Sequence, residues 1–391
     1  MKHPFNVGGL SLDRPFRLQR LGHIGLTQAD AAGCDAFYRD ELGFRSTDHL
    51  QLPGMPAPIG FFCGVGTDHH TLANLADLVE GDNPNYAKGI TVNQISFQVG
   101  TLEEVSAGNA FFEAAGLTNW RLGRDSPGSN WANYVFDPDG FRVELYYGME
   151  QIGWDRRSKP VHLHTSPDYK PQLPEKAEIV EVLDAEARVA TAVPGYRPEE
   201  SMPFVHETGG VLLQRPFAIN RIGPVHLLVE DIEESLRFYV DKIGLIVTEQ
   251  VIYDGKRAVF LRDGTDHHVI ALFELGLRDV IKASPRTRLG LFGVELGSYR
   301  QLREAVIWLR ERGHEVWTDA PQALRPGIDH AAFLRDPGGH TIMLYCGMEQ
   351  IGWAGEPRPA AERPPVPSVW PETIEPTDNR FATLTRQGPL A

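Results

Sequence analysis

The chain has little cysteine, no long apolar run and no excess of positive charge. Its 391 residues include three cysteines, Cys34, Cys63 and Cys346. Their odd number and wide spacing argue against a disulfide framework or a cysteine-based zinc motif, and they predict reduced thiols. No stretch approaches the roughly 18 apolar residues of a membrane span, and residues 1–9 lack the apolar core of a signal peptide. We therefore expect a cytoplasmic protein with no membrane anchor.

The net charge of the chain limits the kinds of molecule that it is expected to bind. The formal net charge of −14 argues against nucleic acid and anionic membranes as partners. A hydrophobic content of 42% and a charged content of 23% are ordinary for globular proteins. A chain of this length forms roughly two to three domains, each able to bury a core. A small molecule is the expected partner.

A turn flanked by two strands occurs twice in the chain. Asp137-Pro-Asp-Gly140 favours a tight turn between antiparallel strands, and the residues after it alternate between apolar and polar as in a strand. The same pattern returns 199 positions later, and the run Gly-Met-Glu-Gln-Ile-Gly-Trp is identical at residues 148–154 and 347–353. The chain is therefore internally duplicated. The most informative difference is that Met343 stands where the first copy has Glu144.

Each half has the same predicted order of elements, a strand, a helix and three strands, repeated once. Units of this size need a neighbour to bury their apolar face. We predict an N-terminal domain at 1–154, a linker or bridging arm at 155–208 with a helix within 175–193, and a C-terminal domain at 209–354. The Pro-rich tail at 355–391 is expected to wrap the surface or to be partly disordered.

This organisation resembles the vicinal oxygen chelate superfamily, which contains glyoxalases, bleomycin resistance proteins and extradiol dioxygenases. With Asp-His-His at 68–70 and 266–268 and the Asp-Pro turns, the chain looks most like the type I extradiol ring-cleaving dioxygenases. The resemblance covers nearly the whole chain except the linker and tail. It implies an α+β fold of two domains, each with two βαβββ units that form an open barrel. It also implies metal ligands on the first strand of each unit of a pair and on the last strand of the second unit.

The resemblance assigns these ligand positions to His23, Gln94 and Glu144 in the first half and to Pro224, Leu291 and Met343 in the second. All three are polar in the first half and none is polar in the second. This asymmetry predicts one functional cavity, in the N-terminal domain, and apolar packing in the C-terminal copy. In the better-known two-domain dioxygenases the active half is the C-terminal one, so this sequence departs from them.

The donor set also departs from the family pattern. A mononuclear Fe(II) oxygenase normally uses two histidines and one carboxylate, whereas Gln94 offers a neutral oxygen. Fe(II) is the first expectation, and Mn, Zn, Co or no metal remain open. Each residue also has an ordinary interpretation. His23 could be a core histidine, Gln94 a hydrogen-bonded strand residue and Glu144 a solvated carboxylate.

Two further residues match positions that carry chemistry in the resembled family. Tyr134 stands where extradiol dioxygenases have a tyrosine that bonds the substrate or the oxygen intermediate, and its counterpart is Phe333. Asp125 lies near the position of the family's acid–base histidine. An aspartate there needs burial, since its unperturbed pKa is far from neutral. The alternatives are a packed strand tyrosine and a turn aspartate.

The remaining histidines give weaker signals. His69, His70, His267 and His268 occur in both halves, which favours a structural role, with His69 as a reserve ligand. His226 could replace a ligand if units of different halves paired crosswise.

The function implied by the resemblance is an extradiol-type dioxygenase that cleaves a catechol-like aromatic. Dimers are common in such families, so a homo-oligomer is open. One alternative is a metal-dependent isomerase, lyase or hydrolase that uses no O₂, with Glu144 or another carboxylate as the base. Another is a metal-free protein that binds a small ligand. The substrate is not identified by the sequence. Metal analysis and oxygen uptake separate the three.

Overall fold

The computed structural model describes residues 5–52, 54–77, 89–153, 157–159, 202–208, 210–352 and 355–374. The helix expected within 175–193 and most of the predicted linker lie outside these ranges. Within them, no helix is both long enough and apolar enough to cross a membrane.

The described elements follow the repeated order expected from the sequence. The strands of the first half are β1 (Phe5–Val7), β2 (Leu10–Leu12), β3 (Leu18–Gln28), β4 (Arg45–Leu50), β5 (Gly60–Gly64), β6 (Leu72–Ala76), β7 (Val92–Val99), β8 (Asn119–Arg124), β9 (Trp131–Phe136) and β10 (Arg142–Tyr147). Those of the second half are β11 (His206–Thr208), β12 (Val211–Leu213), β13 (Ile219–Val229), β14 (Ile246–Tyr253), β15 (Lys256–Arg262), β16 (Ile270–Glu274), β17 (Leu289–Leu296), β18 (Ala331–Arg335) and β19 (Thr341–Tyr345).

One helix follows the first strand of each unit. These helices are α1 (Ala31–Phe37), α2 (Leu102–Ala114), α3 (Ile232–Leu236) and α4 (Tyr299–Glu311). Helices α1 and α3 continue as π-helical segments that end before Gly43 and Gly244, whose φ values of 88° and 97° suit glycine. Helix α2 begins where the Thr101 side chain accepts a hydrogen bond from the Glu104 N–H, and Ser298 does the same for α4.

The first half forms an eight-stranded open sheet in the order β4-β5-β6-β3-β7-β10-β9-β8. Strands β3 and β7 pair antiparallel, and β7 and β10 pair parallel. The two units of the first half therefore join along β3 and β7. The predicted α+β fold of paired units is confirmed, and the units pair within a half rather than crosswise.

The second half forms a seven-stranded sheet in the order β14-β15-β16-β13-β17-β19-β18. Where the sequence predicts a third strand in the last unit, the described residues have only an isolated bridge between Trp317 and Phe333. Pro321 and Pro326 lie beyond this bridge, and residues 322–324 form a short 3₁₀ helix. Proline cannot donate to a sheet ladder, which explains why the strand is not extended.

The chain folds into two compact bodies whose boundaries do not coincide with those of the two repeats. The first body comprises residues 1–27, 45–79 and 92–199, and the second comprises 28–44, 80–91 and 200–391. Helix α1 therefore belongs to the second body. Within that body the Tyr38 hydroxyl and the Gln28 amide donate hydrogen bonds of 2.7 and 2.9 Å to Asp336 Oδ2.

Candidate functional site

The first body brings two of the predicted ligands together across the centre of its sheet. His23 on β3 and Glu144 on β10 are both cross-strand partners of Ser96 on β7. The distance between His23 Nε2 and Glu144 Oε2 is 3.0 Å, and both side chains are fully buried. A buried carboxylate requires compensating partners. This carboxylate accepts hydrogen bonds from the Ser96 hydroxyl and, at 2.9 Å, from Asn130 Nδ2.

Gln94 lies further along the same face of β7. It pairs with Gly25 and lies two residues before Ser96, the cross-strand partner of His23. A Cβ atom on Gly25 would come within 3.0 Å of Gln94 Cγ, so the glycine leaves room for this side chain. Ser96, which the sequence interpretation did not single out, occupies the place between His23 and Glu144. The pairing of β3 with β7 is irregular on both sides of His23, and such irregularities cannot be located from the sequence pattern.

The ring nitrogens of His23 make this pair a candidate metal centre. Both are buried and neither has a hydrogen-bond partner among the described residues, because the approach to Glu144 is close but not aligned as a hydrogen bond. Two ligands at right angles, each about 2.1 Å from a metal, lie about 3 Å apart. The separation of His23 and Glu144 therefore fits two neighbouring ligands of one divalent ion.

The ligand set would have to include a neutral oxygen. Within the described ranges, no group of three or more His, Cys, Asp or Glu side chains could hold a metal ion. The amide oxygen of Gln94 or the hydroxyl of Ser96 would complete the site. Such a set is richer in oxygen than the two-histidine, one-carboxylate set of Fe(II) oxygenases.

Tyr134 and Asp125 lie beside Glu144. Tyr134 is the cross-strand partner of Glu144 on β9, and its hydroxyl donates a 2.6 Å hydrogen bond to Asp125 Oδ2. Arg121 forms an ion pair with Asp125. Burial raises the pKa of Tyr134, and the charge of Glu144 raises it further. Tyr134 is therefore a protonated donor at neutral pH, and the two predicted catalytic residues are directly hydrogen-bonded.

A row of three side chains leads to His23 from the other direction. His69 Nε2 lies 2.9 Å from Asp48 Oδ2, and His69 Nδ1 lies 3.0 Å from His70 Nδ1. The rings of His70 and His23 are 4.6 Å apart. The sequence interpretation favoured a structural role for this histidine pair and kept His69 as a reserve ligand. The structure places His69 against Asp48 and brings His70 to His23. Asp48 lies on β4, 21 positions before His69 in the connection between β5 and β6, so no local motif indicates their contact.

The ring of Tyr146 also packs against His23. The two ring centroids are 4.9 Å apart, and burial raises the pKa of Tyr146. A Cβ atom on Gly22 would come within 1.8 Å of the Tyr146 hydroxyl oxygen, so only glycine allows this ring position.

In the second half, the positions that correspond to His23, Gln94 and Glu144 carry apolar side chains. Gly293 is the cross-strand partner of Met343, and a Cβ atom on Gly293 would lie 2.5 Å from Gly223 O and 2.7 Å from Pro224 Cδ. Met343 belongs to one buried apolar cluster, which comprises Leu291, Ile328, Ala331, Phe333, Met343, Tyr345 and Met348. Apolar packing therefore replaces the histidine–carboxylate pair in this half.

The fold and the duplicated sheets define the class of protein. A family model described as the Glyoxalase/Bleomycin resistance protein/Dioxygenase superfamily matches residues 20–145 and 221–344, well over half of the chain. The chain belongs to this superfamily.

Particular relatives include proteins named as dioxygenases. The chain is 30% identical over 158 residues to a 2,2',3-trihydroxybiphenyl dioxygenase of Sphingomonas paucimobilis, which covers 39% of this chain and 50% of that protein. It is 31% identical over 137 residues to metapyrocatechase 2 of Cupriavidus necator, covering 34% and 38%. The chain thus spans about half or less of the length of the curated relatives it matches.

Solved structures agree on the fold. The 2,3-dioxygenase LapB of Pseudomonas sp. KL28 superimposes with a TM-score of 0.58 at 16% identity, over 88% of this chain and 96% of that one. The Mn(II)-bound glyoxalase of Novosphingobium aromaticivorans gives a TM-score of 0.54 at 17% identity, over 86% and 84%. At these identities the similarity is one of fold alone.

Proposed function

We propose that the protein is an extradiol-type dioxygenase that cleaves a catechol-like aromatic at a metal held by its first body. The observation that carries the proposal is the buried contact of 3.0 Å between His23 and Glu144, with both ring nitrogens of the histidine lacking a hydrogen-bond partner in the described part of the chain. The dioxygenase names of the relatives support it.

The metal is a divalent ion, Fe(II) in the first instance. His23 and Glu144 would hold it, and Gln94 or Ser96 would add a neutral oxygen. When bound, the ion would acidify two vicinal hydroxyl groups of a substrate and bring O₂ beside the ring.

The protein's own side chains divide the remaining tasks. His70, held by His69 and Asp48, would accept a proton from a substrate hydroxyl, since an imidazole is the side chain best matched to proton transfer near neutral pH. The Tyr134 hydroxyl, whose one hydrogen is donated to Asp125, would orient the substrate by accepting a hydrogen bond from a substrate hydroxyl. Asp125 would hold the Tyr134 hydroxyl in place and relay a proton less readily.

Burial of these side chains would strengthen the electrostatic interactions in the site. His23 and Glu144 are each 0% exposed, and His70 is 2% exposed. Interactions among charged groups are stronger when water is excluded.

The experiment combines metal analysis with oxygen uptake. Metal-stripped protein is loaded anaerobically with Fe(II) and then given O₂ and a panel of catechols, and elemental analysis measures the bound metal. We expect about one ion per chain and consumption of one O₂ for each catechol cleaved. A His23→Asn variant that folds normally should lose both. Activity unchanged in this variant, or no metal in the wild type under any loading condition, would overturn the proposal.

A second function is favoured by the oxygen-rich ligand set. With one histidine only, the site is closer to that of a metal-dependent isomerase or lyase, in which Glu144 would abstract a proton and O₂ would have no part. Metal-dependent turnover under strict anaerobiosis would support this second function and exclude the dioxygenase.

A further inference from the structure

Asn130 is a buried amide that bridges two acids of the first body. It immediately precedes β9 and is 1% exposed. Its Nδ2 donates a hydrogen bond of 2.9 Å to Glu144 Oε1 and one of 3.3 Å to Asp125 Oδ2. A side-chain amide nitrogen carries two hydrogens, so both are used on these two carboxylates. The proposed function assigns no role to this bridge.

The two acids also fix which way round the amide of Asn130 lies. If its Oδ1 and Nδ2 exchanged places, a carbonyl oxygen would face two carboxylates with no hydrogen between them. In the orientation that the structure shows, Oδ1 is buried and has no hydrogen-bond partner among the described residues. A buried acceptor without a partner costs free energy. The side chain is therefore placed by the two hydrogen bonds that it donates, not by its oxygen.

The backbone that carries Asn130 is held in place on both sides of a short loop. Asp125 N donates a hydrogen bond of 2.8 Å to Asn130 O, which closes the loop. Glu150 N donates another of 2.8 Å to Gly128 O, which anchors its middle. A residue that positions other groups has to be held by such supporting contacts, and Asn130 meets this condition.

The two oxygens of Glu144 are held differently. Oε1 accepts the hydrogen bond from Asn130, whereas Oε2 accepts one from the Ser96 hydroxyl and lies 3.0 Å from His23 Nε2. Because Asn130 occupies Oε1, the carboxylate presents Oε2 to the histidine.

The other acceptor of Asn130 leads to the proposed substrate contact. Asp125 Oδ2 also accepts the 2.6 Å hydrogen bond that the Tyr134 hydroxyl donates. One amide therefore connects Glu144, a proposed metal ligand, with the tyrosine that is proposed to orient the substrate.

The second half shows which residue stands at this position when the two acids are absent. At the offset of 199 residues, the positions of Asn130, Glu144 and Asp125 are occupied by Asp329, Met343 and Leu324. Asp329 forms an ion pair of 3.3 Å with Arg358. At position 130 an acid would instead face two carboxylates, and like charges held close together repel. The amide thus occurs in the half that has two acids to bridge, and an acid occurs where both are replaced by apolar residues.

We propose that Asn130 is a positioning residue of the metal site. It holds Glu144 by Oε1, so that Oε2 is the oxygen that binds the metal beside His23. It also keeps the hydrogen-bonded pair of Asp125 and Tyr134 in a fixed place relative to this ligand. The role rests on the proposed function, since it concerns the same metal.

The first test measures the affinity for Fe(II) by anaerobic equilibrium dialysis followed by elemental analysis. Asn130→Leu keeps a side chain of similar shape but removes both donated hydrogen bonds. We expect it to bind Fe(II) about 10–100-fold more weakly than the wild type, the usual effect of losing a partner that orients a metal ligand. Asp329→Asn, the opposite exchange at the equivalent position of the second half, should leave the affinity unchanged.

The outcomes of this test separate the role of Asn130 from the function on which it rests. A wild type that binds no metal under any loading condition overturns the proposed function and this role with it. A wild type that binds Fe(II), together with an Asn130→Leu variant that binds it as tightly, overturns the role of Asn130 alone. Equal weakening in Asp329→Asn would also overturn it, because the effect would not be specific to the site.

A double-mutant cycle in metal-free protein tests the contact between Asn130 and Glu144 without any metal. Asn130→Asp removes both donors at nearly constant size and places a third carboxylate beside the other two, so its urea midpoint should fall. Glu144→Gln supplies an amide that can donate to the new carboxylate. It should therefore raise the midpoint more in the Asn130→Asp background than in the wild type. Equal changes in the two backgrounds would mean that the two side chains do not meet, and the proposal would be wrong.

A measurement on chains that keep Asn130 covers the possibility that its variants do not fold. The side-chain ¹⁵N signal of Asn130 should move in Glu144→Gln and in Asp125→Asn, since each change alters one of the two accepting carboxylates at nearly constant size. A signal that stays in place in either variant would contradict the bridge.

Discussion

The His23–Glu144 site and its counterpart at Pro224 and Met343 occupy the same place in two duplicated sheets. The carboxylate–histidine–histidine row is present in both, as Asp48 with His69 and His70 and as Glu249 with His267 and His268. The three ligand positions are polar in the first half (His23, Gln94 and Glu144) and apolar in the second (Pro224, Leu291 and Met343). The row therefore occurs beside both polar and apolar ligand positions, and it is the residues at those positions that distinguish the two sites.

The largest expected effect comes from exchanging the residue that differs between β10 and β19. Glu144→Gln keeps the shape of the side chain but removes its charge, so we expect the variant to lose its bound metal. Loss of a residue that only supports a metal ligand lowers activity by about 10–100-fold. Because Glu144 is proposed to bind the metal directly, kcat/KM should fall by more than this. Met343→Leu should keep activity within about twofold, since it conserves volume. Elemental analysis and oxygen uptake measure both. Full metal occupancy in Glu144→Gln would count against the site.

The two rows provide the next comparison. In Asp48→Asn the new side-chain amide can donate a hydrogen bond to His69 Nε2. The hydrogens along the row could then lie on the opposite nitrogens, and His70 would no longer present a lone pair that accepts a proton. We expect a fall of about 100-fold in kcat, the lower end of what general acid–base catalysis contributes, and a changed pH profile. Glu249→Gln, the matched change in the other row, should leave kcat within about twofold. Equal effects of the two variants would place His70 outside the reaction.

Packing at the sheet centre gives a smaller effect, on stability. Gly293→Ser places a side chain within 2.5 Å of Gly223 O, and overpacking of this kind costs about 1–3 kcal/mol of the free energy of unfolding. Ser96→Gly instead removes a hydrogen bond to the buried Glu144, so activity should fall along with stability. Urea denaturation and oxygen uptake distinguish them. A Gly293→Ser variant as stable as the wild type would show that the backbone can move apart there.

The repeated Asp-Pro turns give an effect on stability that depends on pH. Burial alone would raise the pKa of Asp336, but His340, Tyr38 and Gln28 together lower it. Its stabilising contribution is therefore present above the unfolded pKa near 3.9 and is lost as the pH falls through the folded value. Asp336→Asn should cost about 1–3 kcal/mol at pH 7.

The control for this prediction is the equivalent aspartate of the first half. Asp137 Oδ1 accepts hydrogen bonds of 2.8 Å from two backbone N–H groups, which an asparagine can also accept, so Asp137→Asn should cost less. Thermal unfolding between pH 7 and pH 2 measures both variants. A penalty of Asp336→Asn that stays constant over this range would contradict the linkage.

Much of the fold follows from the sequence, because the duplication gives two copies of each pattern. The contact of His23 with Glu144 and that of Tyr134 with Asp125 join pairs of residues that the resemblance selected. Ser96 was missed because irregular strand pairing shifts the register by an amount that alternation cannot reveal. Asp48 was missed because its contact with His69 joins strand β4 to the connection between β5 and β6, which no sequence motif links.

The membership of helix α1 in the second body has a practical consequence. A fragment that ends at residue 154 would separate Tyr38 from Asp336. The buried Asp336 carboxylate of the C-terminal repeat would then lose the hydrogen bond that the Tyr38 hydroxyl donates to it. Severing the chain between its repeats should thus yield two damaged pieces instead of two autonomous ones.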